Sequence, residues 1–111
     1  MNNLNEMETI IFGILSNGGN AKGLAYEAIT CSEEGNFKQA ENLLKEADKY
    51  LLEAHKIQTS IIQKEASGEK SEVSVLFVHA QDHLMSALEI KTLAEKFINI
   101  NKRLEKLENK F

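Results

Sequence analysis

No proline interrupts this chain anywhere along its 111 residues, and that absence constrains its fold more than any residue it contains. Proline is the residue that helix interiors exclude most strongly. A sequence without it, dominated by Ala, Leu, Glu, Lys, Ile and Gln, is free to be helical almost throughout. Apolar residues recur three and four apart, the period of a helix with one buried face. The fold class that follows is all-α.

Glycine then supplies the punctuation. Gly35-Asn36 reads as a boundary: glycine suits the left-handed position that ends one helix, and Asn36 with Gln39 three residues on resembles a capping box for the next. The second helix is expected over Phe37–Ala66, with Ala40, Leu43, Leu44, Ala47, Leu51, Ala54, Ile57, Ile61 and Ile62 as its buried stripe and a solvated Lys/Glu face opposite. Ser67 to Ser71 forms the second turn, where Gly68 stops the helix and Ser71 caps a third that starts near Glu72. From Asn99 to Phe111 the sequence turns to Lys, Glu and Asn, with Leu104 and Leu107 as a thin stripe, so the last helix is expected to fray.

The first helical pattern, Met7, Ile10, Ile11, Ile14 and Leu15, resumes at Leu24, Ala25, Ala28 and Ile29 after Asn17-Gly18-Gly19-Asn20. Paired glycines inside such a pattern mean a kink, a break or a close approach of backbones. The reading adopted is a kinked packing site in which Asn20 can cap a restarted segment; the alternative is a break whose free N–H groups face an anion. Gly18 to Gly23 is not a nucleotide-binding P-loop, for it lacks the spacing and the Gly-Lys-Ser/Thr ending. Three helices joined by short turns give an up-down-up antiparallel bundle, expected to form a single domain over residues 1–111.

Polar chemistry concentrates at Val78-His79-Ala80-Gln81-Asp82-His83-Leu84-Met85. Residues three and four apart are neighbours on a helix, so Asp82 and His83 lie one turn from His79. At about 100° per residue, Val73, Phe77, Ala80, Leu84, Ala87 and Ala94 line a core face, while Val75, Val78, Asp82 and Met85 line a second row nearly opposite. A helix apolar on two faces is buried on two faces, and a chain this short has few elements to cover the second. Another subunit is therefore expected there. Asp82 would face it, which is costly unless the carboxylate is paired, protonated or metal-bound. His79 falls between the rows, reachable from solvent. His55, beside the second helix's stripe, is read as a partly buried packing residue, with support of His79 as the alternative.

Net charge and cysteine usage narrow the function classes. A formal charge of −4 without a basic, aromatic-studded patch argues against nucleic acid and suits a basic protein partner. The single Cys31 permits no internal disulfide and is expected to pack as a small apolar residue. No secretory signal or membrane-length apolar run is apparent, so a cytoplasmic protein without membrane insertion is expected.

A neutral imidazole is a good nucleophile near pH 7, since its ordinary pKa is about 6.5. It can accept a phosphoryl group and pass it on, a task that depends mainly on positioning and charge stabilisation. Gln81, His83 or a neighbouring helix is a candidate to hold the ring's other nitrogen. His79 and His83 also have the i, i+4 spacing of two zinc ligands, but the Glu of H-E-x-x-H is missing, so a zinc hydrolase is weakly supported. Alternatives to a carrier are a non-catalytic helical oligomeric adaptor and a zinc-binding bundle. A histidine phosphotransfer domain of two-component signalling would be a four-helix bundle with a different motif.

The segment from Glu72 to Met85, with Gly19-Asn20-Ala21, Glu53-Ala54-His55-Lys56-Ile57-Gln58-Thr59 and Gly68-Glu69-Lys70, resembles the IIA component of the lactose/cellobiose (diacetylchitobiose) branch of the bacterial sugar phosphotransferase system. The similarity runs from about Met7 to Phe97; Phe77 and the tail from Asn99 are departures. The resemblance implies a homotrimer of nine helices and a phosphotransferase component of sugar uptake. In it, His79 is the tele-phosphohistidine, phosphorylated on Nε2 by the phosphocarrier HPr and discharged to a cysteine of the IIB component. It also implies that Asp82 points to the trimer axis, where three copies share one structural ion, usually magnesium, and that His83 supports the site. The sugar stays open among lactose, cellobiose and diacetylchitobiose.

Overall fold

A computed structural model describes residues 3–110, and these form three helices, α1 (Asn3–Glu33), α2 (Phe37–Ala66) and α3 (Val75–Glu108), with no strand among the described residues. Met1, Asn2 and Phe111, including that end of the expected fraying tail, lie outside the described residues. The helices fold up-down-up into a rod of 64 × 21 × 21 Å. The all-α, three-helix arrangement read from the sequence is the one observed.

α1 is the central helix, packed along both α2 and α3, which touch each other much less. Its inner face explains this position: Ala21, Ala25 and Ala28 are wholly buried and let both neighbours approach. Contrary to expectation, α1 runs unbroken through Asn17-Gly18-Gly19-Asn20, and Asn20 is an exposed mid-helix residue with no capping role. Two glycines cost a helix about 1 kcal/mol each relative to alanine. Gly18 is buried against α3, where a β-carbon on it would stand 3.6 Å from the Leu84 Cα. That is an ordinary packing contact, and Gly19 beside it meets nothing within 4 Å, so the pair neither bends nor breaks the helix.

The α1–α2 turn follows the sequence reading. Gly35 has φ +83°, the Asn36 N–H donates to Cys31 O across 2.9 Å, and the Asn36 side chain accepts from the Gln39 N–H at 3.3 Å. Only half of the capping box forms in this way, because Asn36 N–H closes the end of α1 instead. α2 spans the expected Phe37–Ala66, but Ile62 is 57% exposed and stands outside the buried stripe. Cys31 is half-buried and packs against the core cluster that includes Ala28 and Leu43. His55 is exposed, so the packing role expected of it is not the observed one.

At the second turn Gly68 adopts φ +101° and Glu69 N–H closes α2 on Lys64 O. The cap of α3 is Ser74, whose Oγ accepts from Phe77 N–H at 3.1 Å, in place of Ser71 and Glu72. Ser71, Glu72 and Val73 thus lie outside the helix, which leaves Val73 73% exposed and off the core face. The remainder of that face is as expected: Phe77, Ala80, Leu84, Ala87 and Ala94 are buried.

The tail is helical as far as Glu108, where α3 ends. Asn101 Nδ2 donates to Ser32 Oγ across 2.8 Å, and Ser32, 2% exposed, donates in turn to Ile29 O. Lys102 bonds Glu41 Oε1 at 2.6 Å and lies over the Phe37 ring. These contacts tie α3 to both neighbours two turns beyond Ala94. Leu104 and Leu107, by contrast, are exposed. With Val75, Val78, Met85 and Ile100 they run along the side of α3 opposite the core. No helix among the described residues is long and apolar enough to cross a membrane.

Candidate functional site

His79 stands in the second turn of α3, five residues after the Ser74 cap. Ala80 and Leu84 are both fully buried and Phe77 nearly so, which fixes the rotation of this helix about its axis. With those three turned inward, His79 is turned out, and it is exposed. A ring on so firmly seated a backbone is reachable without being mobile at its root.

One turn on, His83 is half-buried and its ring centroid lies 5.7 Å from that of His79, with the planes inclined by 37°. The two imidazoles are thus neighbours on one flank of the helix, as their i, i+4 spacing implies. Asp82 is exposed and shares the outward row with Val75, Val78 and Met85, which are 88%, 55% and 51% exposed. This is the second apolar row of the sequence reading, uncovered in the single chain.

Gln81 is the exception. Two residues beyond His79 it lies about 200° further around the helix, and its Oε1 accepts from Gln58 Nε2 of α2 across 2.8 Å. It does not reach the His79 ring of its own chain. Gln58 was missed as a site residue; it belongs to the Glu53–Thr59 segment, but no periodicity distinguishes a glutamine that bridges helices from one that is solvated. His55 takes no part in the ring contact of His79 and His83.

Gly18 backs the site from α1. A β-carbon on Gly18 would come within 3.9 Å of His83 O. The helix is continuous there, so its N–H groups bond carbonyls one turn back and are not displayed to an anion. Among the described residues no three of His, Cys, Asp and Glu cluster as a metal centre within one chain. The shifted titrations lie elsewhere. Burial alone would lower Lys91, but its hydrogen bonds to Glu95 and Asp48 outweigh that and raise it; Glu41 is lowered, first by its hydrogen bond from Lys102 and then by that lysine's charge.

An exposed imidazole on a rigid helix, beside a second one, is suited to accept and release an electrophilic group. Comparison with known proteins is consistent with that chemistry. The family model described as "PTS system, Lactose/Cellobiose specific IIA subunit" matches residues 9–102. The galactose-specific EIIA component of Lactococcus lactis subsp. cremoris is 46% identical over 101 residues, covering 91% of this chain and 87% of the relative. The N,N'-diacetylchitobiose-specific EIIA component of Escherichia coli K12 is 35% identical over 100 residues, covering 90% and 86%. Among solved structures, the cellobiose-specific enzyme IIA from Bacillus anthracis superposes with a TM-score of 0.87 at 45% identity, covering 89% of this chain and 91% of that one. The solution structure of a IIA(Chitobiose)–HPr complex matches with a TM-score of 0.78 at 33% identity, covering 88% and 95%.

Proposed function

This chain belongs to the lactose/cellobiose-specific IIA family of the sugar phosphotransferase system, a family of phosphoryl-carrying components, and from that premise we propose that His79 is its phosphoryl acceptor. The donor is phosphorylated HPr, as the solved complex of a similar IIA with HPr supports. The observation that carries the proposal is the outward, exposed ring of His79 on a helix whose adjoining Ala80 and Leu84 are wholly buried.

The transfer needs little from this chain besides position. Neutral Nε2 of His79 attacks the phosphorus of the donor; the new N–P bond forms as the donor's own bond to phosphorus breaks, and the phosphoryl charge goes with the group. In the second half, a cysteine thiolate of the IIB component attacks, an S–P bond forms, and His79 is returned as free imidazole. His83, one turn away, is positioned to steady the His79 ring or to hold a proton beside it. Gln81 is anchored to Gln58, so any support it gives a His79 comes from across a subunit seam.

The assembly proposed is a homotrimer of nine helices, in the cytoplasm. Support comes from the uncovered row of Val75, Val78 and Met85, which a single chain leaves in water. Asp82 lies on that row. One carboxylate cannot hold a metal, but three copies around a threefold axis supply a set of hard oxygen donors of the kind that suits a divalent cation such as Mg²⁺. Asp82 of each chain would hold the ion, whose contribution is to neutralise the axis and not to take part in transfer.

Incubation with phosphorylated HPr, followed by intact mass measurement in neutral and acidic solution, tests the acceptor. The chain should gain one acid-labile phosphoryl group and His79→Ala should gain none. An oligomeric adaptor would keep its mass unchanged.

A further inference from the structure

Side chains one helical turn apart on the same flank can close on a single ion, and His79 and His83 are placed in that way. Their ring centroids are 5.7 Å apart and their planes inclined by only 37°. At that separation, rotation about the side-chain bonds lets a nitrogen of each ring meet one Zn²⁺ at about 2.0–2.1 Å. The backbone beneath them needs no rearrangement, because Ala80 and Leu84 are seated in the core and Ser74 caps the helix. Access is open as well, with His79 exposed and His83 half-buried.

We infer that His79 and His83 form a two-histidine chelate for a borderline divalent transition ion, Zn²⁺ above all, and that an ion held there excludes the phosphoryl group from His79. The exclusion rests on His79 being the acceptor proposed above; the chelate does not. Imidazole suits zinc, whereas carboxylate, carbonyl and water oxygens suit Mg²⁺, so this site and the axial Asp82 set select different ions. No third His, Cys, Asp or Glu completes the set among the described residues. Within one chain the remaining positions fall to water, and the ion is held reversibly. Metal and phosphoryl group compete for the same ring: the ion occupies a lone pair and fixes the ring's orientation, while an N–P bond removes that lone pair from coordination. Each therefore weakens the other by the same factor.

The test titrates zinc chloride into the full chain in Mg²⁺-containing buffer, by calorimetry, for wild type, His79→Ala, His83→Ala and His55→Ala. One site per chain is expected in wild type and in His55→Ala. Loss of either chelating ring should weaken it by more than the roughly 10–100-fold that removal of a metal ligand's outer-shell partner typically costs. Transfer from phosphorylated HPr is then followed by intact mass with and without Zn²⁺. Wild type should slow about tenfold or more and recover on adding a chelator. His83→Ala, whatever its own rate, should be indifferent to the ion. Zinc binding that survives both single changes overturns the chelate, as does equal slowing of wild type and His83→Ala, which would put the effect on HPr. Should zinc bind through both rings while wild type gains no phosphoryl group even without it, the chelate stands and the acceptor assignment fails.

Discussion

Gln58 on α2 donates its side-chain N–H to Gln81 Oε1 on α3 across 2.8 Å, joining the two helices that otherwise touch least. The bond is partly buried, so it exchanges little with water and both amides are held. Replacing Gln58 with Ala strands the Gln81 carbonyl at a half-covered position. The unfolding free energy should fall by about 1 kcal/mol. In a double-mutant cycle with Gln81→Ala the coupling should be about 0.5–1.5 kcal/mol, read from urea denaturation. A cycle that sums to zero would mean that the bond has no energetic weight.

The neighbouring glycines of α1 differ in what an added side chain would meet. A β-carbon on Gly19 meets nothing within 4 Å, so Gly19→Ala gains helix propensity at no steric cost and should stabilise by about 0.5–1 kcal/mol. Gly18 faces the backbone of Leu84 and His83, which cannot move aside as a side chain can. Gly18→Leu should therefore destabilise by about 1–3 kcal/mol and, by pushing the helix that carries His79, slow phosphoryl transfer. Thermal unfolding and the intact-mass assay measure the two effects.

Periodicity made the helices legible, and with them the outward setting of His79 and Asp82, because burial repeats with the period that sets the angle of each side chain. What it missed depends on single bonds or on the sides of elements it could not pair. Ser71 and Ser74 are both good caps in sequence; the one realised is Ser74, which accepts from Phe77 N–H. The tail looked solvated because its anchors are polar. Asn101 and Lys102 hold it through Ser32, Glu41 and Phe37, partners 61 or more residues away in the chain for the two hydrogen bonds. The glycine pair was identified as special, but whether it bends a helix or admits another is decided by α3, which packs on Gly18 but is distant from it in sequence.

Lys91 supplies a pH-dependent element. It is largely covered and bonded to Glu95 and to Asp48, the latter at 2.9 Å. Burial works against its charge, yet the two carboxylates prevail and its pKa lies above the ordinary 10.5. A folded-state pKa raised above the unfolded value adds stability that is fully present below about pH 10.5 and is lost as pH rises through the folded value. Lys91→Met should therefore cost roughly 1 kcal/mol near neutrality. The gap between wild type and variant should hold steady up to about pH 10 and close beyond pH 10.5, as followed by denaturation at a series of pH values. A gap that widens with alkali would contradict the assigned pairing.

Asp82 tests the assembly. On the row of Val75, Val78 and Met85 it is the one group that gains nothing from being covered by apolar neighbours, so its energy depends on what it meets. Three carboxylates brought together without a cation repel one another and lose hydration, a cost of several kcal/mol per ion that the apolar row alone must overcome. With a shared divalent ion the repulsion becomes attraction. Asp82→Ala keeps the row but removes the ligand and leaves space behind, so self-association should weaken and lose its response to chelator. Asp82→Leu fills the space with apolar surface, and its trimer should persist with or without metal. Wild type should dissociate when chelator is added. Sedimentation equilibrium of the three proteins, each with and without chelator, separates these cases. Equal trimers of wild type and Asp82→Ala in every condition would leave the ion without a structural role.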